Sequence, residues 1–96
     1  MKMVMIAYNE AIDEEVMEIL HSCTLKNYTK IKGIFGRGDA SGAHLGNDIW
    51  PGRNNLLFIS IEDKDSKDLI LGIKELRKKL GKEGIKAFLW NLEEVT

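Results

Sequence analysis

A single cysteine, a single proline, few aromatics and no long apolar run leave this chain without most of the usual signatures of function. The lone Cys23 rules out an internal disulfide. With no charged and apolar leader ahead of the first strand-like run, the expected compartment is the reducing cytoplasm. No apolar stretch approaches the roughly 20 residues of a membrane-spanning helix, so no membrane insertion is expected. Charge is scarce in net terms as well: 14 Lys and Arg stand against 15 Asp and Glu, a balance of −1. That excludes the basic stripe a nucleic-acid binder needs to displace counterions, although it leaves room for a local basic pocket. No nucleophile lies in a pattern with a paired base, and the acids gather at helix starts where the helix dipole accounts for them. A non-enzyme is expected.

What the chain does have is concentrated in Gly36 to Asn55, GRGDASGAHLGNDIWPGRNN. Five of the nine glycines, the proline, one histidine and one tryptophan fall in these residues. Neither a helical nor a strand period runs through them. Loops in compact domains have a median of about four to six residues, so a stretch this long is either disordered or functional. Its Trp, His and Leu content argues for function.

The flanks are regular. Met3 to Ala7 is a continuous apolar run, as expected of a strand covered on both faces. Asn9 is placed to cap a helix with Glu10, Asp13, Glu14 and Glu15 in its first turns and Ile12, Val16, Ile19, Leu20 and Cys23 along its stripe. On this reading His21 is a solvated residue of the last turn and Cys23 a small buried hydrophobe. Tyr28 to Phe35 alternates Lys30 and Lys32 against Ile31 and Phe35, the pattern of a half-exposed edge strand. Leu56 to Ile61 reads as a second central strand. Asp65 or Ser66 is the expected cap of a helix with the stripe Leu69, Ile73, Leu76 and Leu80, closed by Gly81 or Gly84. Ile85 to Leu92 reads as a second edge strand, followed by a short acidic tail.

The order β-α-β, loop, β-α-β predicts one α+β domain over residues 1–96, a ferredoxin-like sandwich of a four-stranded antiparallel sheet with two helices on one face. The interleaved halves of that fold put strands one and three inside, which is where the continuous apolar runs fall. The other face would be bare in a monomer, and its burial at about 25 cal/mol per Å² is several kcal/mol that a small domain can hardly forgo. A symmetric homo-oligomer with the open faces inward is therefore expected.

These residues resemble the PII-like signalling proteins. Thr29, Lys32-Gly33, Phe35-Gly36-Arg37, then Gly42 and His44, look like that family's strand-two ending and its Gly-Arg entry into the T-loop. The resemblance implies a homotrimer, a small effector such as an adenine nucleotide in the clefts between subunits, and a loop that contacts a partner, with a transporter as one candidate. The chain departs from the family pattern in two places. Its T-loop is short and has no tyrosine for nucleotidylation, and the family's Thr-Gly-x-x-Gly-Asp-Gly-Lys run is reduced to Gly81-Lys82-Glu83-Gly84 with Lys86 beyond. It resembles a divergent PII-like protein and not a nitrogen regulator.

The candidate ligand-binding residues are Gly36, Arg37, Gly38, Ser41, His44, Trp50, Gly81, Lys82 and Gly84. The glycines of Gly36 to Gly42 are misplaced for a dinucleotide fingerprint and lack the Gly-Lys-Ser/Thr of a P-loop. They still suit a backbone cradle for an anion, with Arg37 as a bidentate clamp, though a flexible turn explains them equally. His44, Asp48 and Asp39 form an alternative set, for a divalent metal. The related CutA-like divalent-cation tolerance proteins share the fold and the trimer, so the resemblance keeps a metal-binding role open. Trp50-Pro51-Gly52 reads as a rigid turn, with Trp50 either packing it or stacking on a ligand. Trp90 is expected in the core or an interface. A third role is purely structural, with the loop sealing an oligomer.

Overall fold

The computed structural model describes residues 1–36, 53–80 and 84–96. Strand β1 (Lys2–Asn9) runs through a 3-10 turn (Glu10–Ile12) into helix α1 (Asp13–Ser22). Strands β2 (Thr29–Ile34) and β3 (Asn54–Ile61), helix α2 (Asp63–Leu80) and strand β4 (Ile85–Asn91) follow. The sheet order is β2-β3-β1-β4, and every neighbouring pair is antiparallel. This is the ferredoxin-like arrangement, with the two continuous apolar runs in the middle and the two lysine-bearing strands at the edges.

The pleat sorts the side chains. Val4, Ile6 and Tyr8 of β1 and Leu57, Ile59 and Ile61 of β3 are buried in one cluster with Val16 and Leu20 of α1 and Leu69 and Ile73 of α2. Both helices therefore cover the same face. The alternate residues, Met3, Met5, Leu56 and Phe58, point to the other face with Ile31, Phe88 and Trp90, and these last three are 43–45% exposed. Trp90 thus lies on the open face and outside the core.

Local chemistry fixes the ends of the elements. The Asn9 side chain accepts the Ala11 N–H at 2.8 Å, which caps the 3-10 turn that the periodicity had merged with the helix. After α1 the Leu25 N–H reaches back to the Leu20 carbonyl at 2.9 Å, and between them Thr24 takes the left-handed φ of 56° usually given to glycine. Cys23 is half-buried at this helix end, and burial pushes its thiol up. His21 is exposed in the last turn, as expected.

Three features differ from the sequence reading. Helix α2 starts at Asp63 and not at Asp65 or Ser66, because the Asp65 and Ser66 N–H groups already bond the Glu62 carbonyl; Ser66 is buried and donates its hydroxyl to the Asp63 carbonyl. Asn54 and Asn55 belong to β3, so that strand starts two residues before the expected Leu56. In β2, Lys30 points under α1 instead of into water, while Ile31, and Phe35 just beyond the strand, are exposed. That strand also carries a bulge: Ile31 pairs with Leu56 but Ile34 with Asn54, leaving one extra residue, with Gly33 at φ 71° between them.

Candidate functional site

The antiparallel register brings one end of every strand together. Asn9 at the end of β1 pairs with Asn54 at the start of β3, and its N–H bonds the Gly84 carbonyl at 2.8 Å just before β4. The Glu10 N–H bonds the Arg53 carbonyl at 2.9 Å, and the Arg53 guanidinium lies 3.5 Å from the Glu10 carboxylate. A methyl group on Gly36 would stand 3.8 Å from the Asn54 amide nitrogen. Residues 37–52 and 81–83 are therefore bracketed by Gly36, Arg53 and Gly84, all at this end of the sheet.

Of the candidate ligand-binding residues, the structure describes Gly36 and Gly84. It places them at the same end but on opposite outer strands, three strand spacings or about 14 Å apart. Gly84 has φ 90°, a conformation in which a side chain is strained, so glycine is needed there for the chain to enter β4. Arg37, Gly38, Ser41, His44, Trp50, Gly81 and Lys82 lie outside the described residues, as do the metal candidates His44, Asp48 and Asp39 and the Trp50-Pro51-Gly52 turn. Among the described residues no three His, Cys, Asp or Glu side chains stand together as a metal site, and no helix is long and apolar enough to cross a membrane.

Beneath this end of the sheet lies a polar network the sequence reading missed. Asp13 Oδ1 accepts hydrogen bonds from the Tyr8 hydroxyl at 2.5 Å, from Lys30 Nζ at 2.9 Å and from Asn55 Nδ2 at 3.3 Å. One carboxylate at the start of α1 thus ties β1, β2 and β3 to that helix. Burial on its own would raise the Asp13 carboxyl, but the Tyr8 and Lys30 hydrogen bonds, the Lys30 charge and the Asn55 amide together hold it below its ordinary value. Burial first, and then the bond to Asp13, push the Tyr8 phenol well above its usual range, so it stays a neutral donor. The Asn55 side chain is buried, and its Oδ1 has no partner among the described residues. The only signal of this cluster in the sequence was a tyrosine ending an apolar strand. Helix-dipole logic had already accounted for Asp13, and an edge position for Lys30.

Chemically the network is a brace: three donors from three strands converge on one oxygen of its one anion.

No protein family model matches the sequence, and no curated protein does. Solved structures match throughout the fold. The nitrogen regulatory PII-like protein CPII from Thiomonas intermedia K12, bound to ADP, AMP and bicarbonate, aligns over 95% of this chain and 88% of its own with a TM-score of 0.72 at 16% identity. The same protein bound to ADP and bicarbonate gives a TM-score of 0.73 at 16% identity, covering 95% of this chain and 84% of its own. A protein of Thermus thermophilus described as PII-like signalling gives 0.68 at 19% identity, again covering 95% and 84%. This chain has the fold of the PII-like nitrogen regulatory proteins.

Proposed function

We propose that this chain is a PII-like regulatory protein, not an enzyme, that binds a small effector at the strand ends bracketed by Gly36, Arg53 and Gly84. The observation that supports this most strongly is the fold likeness, over nearly the whole chain, to a protein whose structure holds ADP, AMP and bicarbonate. An adenine nucleotide is accordingly the proposed effector. Gly36 and Gly84 lie on opposite edges of one sheet, so a ligand touching both types of loop either spans that sheet end or sits between two subunits. The second arrangement fits the bare face of the sheet. Ile31, Phe88 and Trp90 there are 43–45% exposed, and we propose a homotrimer that buries them. Residues 36–55 then carry the signal to a partner protein, a transporter being one such partner, from the cytoplasm.

Titration calorimetry with ATP, ADP and AMP tests the effector. Saturable binding of at least one, at or below about 1 mM, is expected; heats no larger than dilution for all three would remove the nucleotide reading. Sedimentation velocity tests the assembly. The native chain is expected to sediment as a trimer and the Phe88→Lys, Trp90→Lys double variant as a monomer. A native monomer at micromolar concentration would defeat the trimer.

A further inference from the structure

On the opposite face, helix α2 and strand β4 leave a groove of about 340 Å³ lined by Ser66, Lys67, Ile70, Leu71, Lys74 and Leu89. Residues 67, 70, 71 and 74 are one stripe of the helix at i, i+3, i+4 and i+7, so two aliphatic side chains lie between two lysines about 10 Å apart along the axis. Leu71 is 56% exposed and Leu89 44%. Among the described residues neither lysine is in an ion pair. The groove therefore presents an unpartnered apolar floor with positive charge at both ends.

The same chain carries the complement. Beyond β4, Leu92-Glu93-Glu94-Val95 sets two carboxylates between two aliphatic side chains, and Glu93, Glu94 and Val95 are all exposed. We infer that the groove of one copy receives the tail of a second copy, with Leu92 and Val95 on Ile70, Leu71 and Leu89 and the two glutamates held between Lys67 and Lys74. The lysine stems are long enough to bring both ammonium groups inward over the bound segment.

A chain's own tail is poorly placed for this. The Leu92 N–H bonds the Met1 carbonyl at 3.1 Å, and the Met1 ammonium lies 2.9 Å from Asp63, so the tail leaves at the N-terminal end of α2. To enter its own groove it would have to reverse direction within four residues that include neither glycine nor proline. A second copy has no such constraint. The contact uses the helix face and the tail, so it is independent of the effector reading and leaves the open sheet face unchanged.

The test mixes two chains, both Cys23→Ser, one carrying Leu71→Cys and the other Val95→Cys, under mild oxidation. Mass spectrometry is expected to show the Leu71→Cys/Val95→Cys cross-link about tenfold above the cross-link to a control chain carrying Lys26→Cys. Lys67→Glu with Lys74→Glu on the groove chain should lower the specific cross-link by a similar factor, and Glu93→Lys with Glu94→Lys on the tail chain should restore it. Equal cross-linking to the control position would overturn the proposal. So would an indifference to charge reversal, or a failure of the paired reversal to restore the cross-link in chains that circular dichroism shows to be folded.

Discussion

Replacing Lys30 by methionine should loosen one strand selectively. The Lys30 side chain is 18% exposed and that of Asp13 35%, which places their 2.9 Å pair between a surface salt bridge and a buried one. A surface pair contributes about 0–1 kcal/mol, and breaking a buried one costs about 3–5. Methionine keeps most of the stem packing and removes the charge-assisted hydrogen bond, together with the ammonium's position 5.7 Å from the centre of the Tyr28 ring. Asp13 retains Tyr8, Asn55 and some solvent, so it is not left as a bare buried charge. These considerations put the loss at about 1.5–2.5 kcal/mol by urea unfolding. Asp13→Asn should cost about the same or more, because it leaves the lysine charge in a mostly buried place without its anion. The distribution of the effect is the sharper test. Strand β2 lies at the sheet edge, is interrupted by its bulge and has no fully buried residue, so the Lys30–Asp13 pair is its main side-chain anchor on the helix side. Amide exchange in Thr29–Ile34 should therefore accelerate about tenfold more than in β1 or β3. The pair also has a pH signature. The folded Asp13 carboxyl lies below its ordinary value of 3.8, so the unfolded chain binds more protons in that range. The stabilisation is then fully present above about pH 4 and is lost as pH falls through the lower folded value. The gap between the native chain and Asp13→Asn should narrow in that same acid range. A Lys30→Met variant within about 0.5 kcal/mol of the native chain, with unchanged exchange in β2, would refute the reasoning.

Other substitutions probe other links of the same structure. Tyr8→Phe should cost about 1–1.5 kcal/mol in urea unfolding, while leaving the native phenol absorbance titration unchanged in the ordinary range, because Tyr8 is held neutral there. Its raised folded value means that its stabilisation is present below the ordinary phenol range and is lost only as strongly alkaline pH passes through the folded value. Thr24→Gly should stabilise by about 0.5–1 kcal/mol, since a β-branched residue now occupies φ 56° at the end of α1; a lower midpoint in urea would count against that strain. At Gly72, where α2 crosses α1, an added Cβ would lie 2.9 Å from Ile19 Cγ2. Gly72→Ala should therefore fail to deliver the roughly 1 kcal/mol expected from helix propensity, and that gain should reappear in a background of Ile19→Ala.

The parts of the fold that rest on periodicity were legible in the sequence. Met3 to Ala7 and Leu56 to Ile61 are apolar at almost every position, and they form the two central strands of the sheet. That same continuity exposed the bare sheet face before any coordinates did. What escaped were contacts between residues far apart in sequence. Asp13 and Lys30 belong to different elements, each with a sufficient local explanation, and only the pairing of β2 with β3 beside the start of α1 brings them together. Asn55 fell in the expected loop because the apolar run starts at Leu56, yet it is a buried residue of β3 whose side chain joins the brace. The start of α2 was displaced for a similar reason, since Ser66 looks like a cap in sequence but packs inward at the first turn. At the candidate site, sequence reasoning named Gly36 and Gly84, and the strand register brings both to one end of the sheet.

The extra residue in β2 acts as a phase setting for everything that follows it. Leu56 and Asn54 share one face of β3, so the bulge lets their partners Ile31 and Ile34 share a face too, three positions apart, while Lys30 keeps the other. Strict alternation would have turned Ile34 to the lysine side. Straightening the bulge with its extra residue kept would turn the end of β2 over by half a strand period, whereas deleting Gly33 would remove the extra residue and leave Ile34 opposite Asn54. The facing of Ile34 thus depends on the bulge, and Gly33 at φ 71° supplies the backbone conformation that lets the strand form it. A side chain at position 33 should therefore disturb the end of β2 more than loss of the residue does.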